Sequence, residues 1–112
     1  MDDTLKQKLA EQLARKPAPM EIVRELLQYQ VWGAEPEDVE RSVKSLNAVN
    51  PYRVSQMIEA LEQVAGGAHA EGELSQLVMI DGNQMLMDDS DDGARAWLRD
   101  LAARMRAWTV SL

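Results

Sequence analysis

The chain has 112 residues, no cysteine, 46% hydrophobic and 28% charged side chains, and a net charge of −7. That is one domain's length with apolar material for a core, and it excludes disulfide frameworks, thiol nucleophiles and thiolate metal sites. The charge is local: Val54 to Ala94 holds nine carboxylates and no lysine or arginine, and beyond Asp92 the sign reverses, with Arg95, Arg99, Arg104 and Arg106 against Asp100 alone.

Leu5, Leu9 and Leu13 recur every four residues and predict a first helix, with Thr4 and Gln7 as a capping box. Arg15 and Lys16 suit its C-terminal end, and Pro17 and Pro19 stop it. Its stripe is narrow, so it needs a covering surface, in its own domain or on a second subunit. Pro19 opens the next helix, where its missing N–H costs nothing, and Ile22, Val23, Leu26, Leu27 and Val31 form a wide apolar face ended by Gly33. Pro36 opens a third helix with Glu37 and Asp38 in its first turn, Val39, Val43 and Leu46 on its buried side and a stop at Asn47. Asn50-Pro51 reads as cap and first residue of a fourth, whose face is Val54, Met57, Ile58, Leu61 and Val64 and whose end is Gly66-Gly67. The short connection between the third and fourth helices makes them antiparallel neighbours.

Residues 66–73 read as a flexible, acidic linker. In the stretch that follows, Asp81-Gly82 separates two apolar runs, the signature of a β-hairpin over about 76–87. A helix competes, because Leu74, Leu77, Val78 and Met85 also fit its period, but Gly82 inside a helix would cost about 1 kcal/mol relative to alanine. The hairpin is the expectation. Asp88 to Asp92 then forms an acidic turn before a last helix with Trp97, Leu98, Leu101, Met105 and Trp108 on its apolar face. The expected fold is mainly α: a compact bundle of four to five helices with one short hairpin before the C-terminal helix. It is one domain over 1–112, with a helical region over 1–65, a linker over 66–73, and a hairpin plus helix over 74–110.

Catalytic constellations are sparse. The one histidine, His69, lies in the glycine-rich linker, and no serine is positioned against it by a recognisable elbow. Gly66-Gly67 lacks the lysine and spacing of a phosphate loop. No enzymatic activity and no cofactor or metal is therefore expected. Asp88-Asp89-Ser90-Asp91-Asp92-Gly93 resembles the first half of an EF-hand loop, but Arg99 stands where the bidentate glutamate is needed and Arg95 inside the loop would repel a cation. The acids are better explained by helix capping through Ser90, Asp91 or Asp92. Direct nucleic-acid binding is not expected from so acidic a chain. No apolar run approaches the roughly 18 residues of a membrane helix, and the acidic start lacks the basic leader of a secretory signal; a cytoplasmic protein with no membrane contact is expected.

What remains is protein binding. There is no phenylalanine, and the seven methionines include Met79, Met85 and Met87 close together. Methionine and tryptophan are favoured at interface centres, and methionine suits adaptable surfaces. The expected role is a small regulatory protein that binds another protein and occludes its surface, as an inhibitor, anti-activator or adaptor does, and that forms a homodimer. The expected contact residues are Met79, Met85, Met87 and Trp108 for affinity, with Glu71 and Glu73 for steering. A secretion chaperone or toxin-neutralising immunity protein is the alternative, and a DNA-mimic inhibitor or small enzyme subunit a more distant one. The arginines of the last helix could fold back on Asp88 to Asp92 or on Glu71 and Glu73, which would cancel some of the acidic stretch internally.

Overall fold

A computed structural model describes residues 18–110, which are mainly helical with no strand among them. The expected first helix, with Leu5, Leu9 and Leu13, lies outside the described residues. Helix α1 spans Pro19–Leu26, with proline in its first turn, and continues into a π-helical turn, Leu27–Val31. All five expected face residues are buried. Leu26 and Leu27 both enter the core, as Ile22 and Val23 do one turn earlier, and Gly33 closes the helix in the left-handed region at φ 62°.

Helix α2, Pro36–Val49, buries Val39 and Val43 and runs past the expected stop at Asn47. The break comes at Asn50, whose non-helical backbone ends α2 while its side-chain oxygen accepts the Arg53 N–H at 3.1 Å and starts α3, Pro51–Gly66. Helix α3 is the centre of the fold: it packs against α1, α2 and the last helix. Its seven buried residues include Val54, Met57, Ile58, Leu61 and Val64, the face read from the sequence.

The β-hairpin expected over about 76–87 is not present. A short helix, α4, spans Glu73–Gln76 and continues as a second π turn, Leu77–Asp81. The helical period wins because Leu74, Leu77 and Val78 all reach the core, which an alternating strand cannot arrange. Gly82 ends this helix instead of interrupting it, so the mid-helix penalty never arises. Its φ of −90° is also the wrong sign for the primed turn of a hairpin, and Asn83, at φ 48°, takes the left-handed position instead.

Helix α5, Asp91–Trp108, buries Ala94, Leu98, Leu101, Ala102 and Met105. Ser90 is its cap: the hydroxyl accepts the Gly93 N–H at 3.2 Å. No helix among the described residues is long and apolar enough to cross a membrane.

Candidate functional site

The two π turns pack on each other. The Gly33 N–H donates to the Gly82 carbonyl at 2.9 Å, and the Gln84 side-chain amide donates to the Val31 and Ala34 carbonyls at 3.3 Å each. This clip ties the start of segment 83–90 to the end of α1. From there the chain runs without helical bonds until Ser90, and burial alternates from residue to residue over 83–87. Gln84 and Leu86 turn inward, and Leu86 packs against the core. Met85 and Met87 turn outward; Met85 is 94% exposed and Met87 fully exposed. On the adjoining π turn Met79 is partly exposed and Ile80 is 68% exposed, while Tyr29 and Trp32 project from the other π turn and its exit. Two segments that are pinned together therefore carry a set of large apolar side chains in water.

Beside the clip lies a groove of about 220 Å³. Val31, Ala34, Val39, Trp97, Leu101 and Trp108 make it apolar, and Gln84 and the Asp100–Arg104 ion pair (2.8 Å) stand in its wall. Trp108 is half-buried here and packs against the core, so of the expected contact residues it is a groove wall and not a protruding anchor. The structure thus places Met79 on the second π turn, and Met85 and Met87 on the segment that follows Gln84 out of the groove wall. Glu71 and Glu73 lie elsewhere, at the start of α4. Glu71 is exposed, whereas Glu73 accepts the Ala70 N–H at 3.2 Å and faces His69 Nδ1 at 3.6 Å. Sequence reasoning left out Tyr29 and Ile80. Ile80 lies two places past the buried Val78 on the second π turn, and Tyr29 sits between Gln28 and Gln30 on the first.

The acidic stretch is used mostly within the fold. Asp91, at the N-terminus of α5, accepts the Gly72 N–H at 2.7 Å and the Ser75 N–H at 3.0 Å, so it caps α4 across a gap of sixteen or more residues. Those two backbone bonds, with Arg95 as a lesser influence, hold its carboxyl below the usual aspartate range. Asp88 is likewise lowered by the Ser90 hydroxyl and backbone N–H. Asp81 accepts from Arg24 at 3.4 Å and from Gln28 at 3.2 Å. The arginines of α5 do not fold back in ion pairs on Asp88 to Asp92, Glu71 or Glu73. Arg106 instead makes a two-pronged pair with Glu62 of α3 at 2.9 and 2.5 Å, which lowers the glutamate and raises the guanidinium pKa. Arg95 donates to the Ala65 and Gly67 carbonyls and closes the C-terminal end of α3. His69 donates from Nε2 to the Val64 carbonyl at 2.7 Å, on the same helix end. The stretch expected as a flexible linker is thus held from both sides.

Asp91 gives a pH-dependent prediction. Its folded pKa is depressed, so its contribution is complete above the ordinary aspartate value of 3.8 and is lost as the pH falls through the lower folded value. Asp91→Ala is expected to lower the melting temperature at neutral pH. The gap to wild type should narrow steadily in calorimetry as the pH drops toward about 2. A gap of constant size across that range would show that Asp91 acts by something other than its charge.

Among the described residues no group of three or more His, Asp or Glu side chains is placed to hold a metal ion. The arrangement at the clip offers apolar contact and a tryptophan-lined groove; Asp89 and Asp92, further along the chain, are exposed carboxylates. No protein-family model matches the chain, and comparisons with curated proteins and with solved structures give no significant match.

Proposed function

We propose that this chain is a non-enzymatic protein-binding module, a small regulatory protein that occludes the surface of a partner protein. The observation that carries the reading is the state of Met85 and Met87. They are the most exposed large hydrophobic side chains among the described residues, yet they sit on a segment anchored by the Gln84 clip on one side and the Ser90 cap on the other. Large apolar side chains held in water on fixed backbone are unfavourable for a free molecule and useful in a bound one. Anchoring also lowers the ordering cost on binding, and unbranched methionine adapts its shape to the partner. Ile80 and Trp32 extend the apolar surface, the Trp97–Trp108 groove offers a recess for a partner side chain, and Asp89 and Asp92 supply a negative rim that steers a basic partner surface.

The test is affinity capture from lysate of the native cell, with wild type and a Met85→Asp/Met87→Asp variant as paired baits. One stoichiometric protein held by wild type and released by the variant is the expected result. Identical sets of captured proteins from the two baits would refute the reading.

A further inference from the structure

The segment that carries Met85 and Met87 also has an open backbone. Residues 83–86 lie outside any helix and run without a bend, and the chain bends next at Met87 and Asp88. The Gln84 N–H donates to the Val78 carbonyl at 3.3 Å, and the Ser90 N–H donates to the Asp88 carboxylate at 3.0 Å. Between these two bonds, the N–H groups of Met85, Leu86 and Met87 and the carbonyls of residues 84–87 make no hydrogen bond among the described residues. Burial alternates along the same run: Leu86 packs against the core, while Met85 and Met87 stand in water. Alternating sides with open donors and acceptors between them are the features of an unpaired edge strand. Water satisfies such groups in any exposed loop. This segment differs in being fixed at both ends, by the Gln84 amide on Val31 and Ala34 and by the Ser90 cap of α5, so pairing it requires little further ordering.

We infer, on the footing that Met85 and Met87 are the partner-binding surface, that the partner meets them with an exposed edge strand of its own β-sheet, laid alongside residues 84–87 and carrying a lysine or arginine opposite Asp89. The open N–H and carbonyl groups pair with that strand. Met85 and Met87, at alternate positions, then share one face and enter pockets on the partner's sheet. Charge selects the occupant. Asp88 is engaged by Ser90, but Asp89 is exposed and makes no ion pair among the described residues. No lysine or arginine occurs from Val54 to Ala94, so a second copy of this segment brings no cation to Asp89. Antiparallel self-pairing about Leu86 would set Asn83 there instead. A basic edge strand on a different protein supplies what the second copy lacks.

The test is amide hydrogen exchange followed by NMR. It uses the full chain alone and in complex with the protein that wild type captures and Met85→Asp/Met87→Asp releases. In the free chain the amides of Met85, Leu86 and Met87 should exchange nearly as fast as in an unstructured peptide. Successive N–H groups of a strand point to opposite edges, so protection in the complex should alternate. Either Leu86 alone, or Met85 and Met87 together, should slow by about 100-fold while the rest stay fast. Equal protection at all three would mean burial without pairing, and no protection would mean contact through side chains alone. Either result overturns the inference and leaves the partner-binding reading standing. A captured protein that proves to be a second copy of this chain overturns it as well. Asp89→Lys should weaken the complex about fivefold at low salt and less at high salt. Unchanged affinity at both would overturn the choice of a basic strand.

Discussion

Truncating Leu77 or Val78 to alanine is expected to destabilise the protein strongly, and truncating Met79 or Ile80 is not. Leu77 is 2% exposed and Val78 is fully buried, so removing either leaves a cavity in the core. For Leu77→Ala the cost should be about 2–5 kcal/mol. That is a large share of the roughly 5–15 kcal/mol that keeps a domain folded. Ile80→Ala removes a side chain that is mostly in water and should change stability by no more than about 0.5 kcal/mol. Urea unfolding of the four variants reads this pattern directly. In a strand, 77 would share a face with 79 and 78 with 80. Matched costs within those pairs would restore the hairpin; two costly neighbours followed by two tolerant ones establish a helical turn.

The second large effect concerns binding. In Met85→Asp/Met87→Asp the fold should be intact, since both side chains stand in water and Leu86 between them still packs on the core. Affinity for the partner should fall by at least about 30-fold, the loss that accompanies removal of one central apolar contact worth about 2 kcal/mol. Titration calorimetry of wild type and variant against the captured partner measures it. A variant that melts like wild type and binds like wild type would place the interface elsewhere, with the Trp97–Trp108 groove as the next region to mutate. A Trp32→Ala variant, on the adjoining exit, should lose less, because its segment is only one side of the patch.

Much of the helical architecture is legible in the sequence because its signals are local. Pro19, Pro36 and Asn50-Pro51 each mark a helix start, and the 3.6-residue period identifies the faces of α1, α3 and α5 without reference to the rest of the chain. The hairpin signal misleads for a local reason too. Asp-Gly between apolar runs is a strong turn signal, but the same two residues also suit a helix end. What decides is whether Leu74, Leu77 and Val78 find a common surface, and that surface is built by distant helices. The ion pairs are less legible still. Arg106 reaches Glu62 across 44 positions, and Arg95 spends its charge on carbonyl oxygens, for which no acidic residue in the sequence gives a hint. Asp91 reads as a cap for its own helix and serves a different one. In the candidate surface, the closeness of Met85 and Met87 is present in the sequence. That both face outward depends on the Gln84 clip to Val31 and Ala34, some fifty residues away.

The central claim is that Met85 and Met87 form the surface a partner covers, and mild peroxide oxidation read by mass spectrometry tests it most directly. In the free protein Met85 and Met87 should oxidise well ahead of Met57 and Met105, which are buried in the core on α3 and α5. With the captured partner bound, oxidation of Met85 and Met87 should slow toward the rate of the buried pair while Met57 and Met105 stay unchanged. Oxidation of Met85 and Met87 at the free-protein rate within a saturated complex would contradict the account.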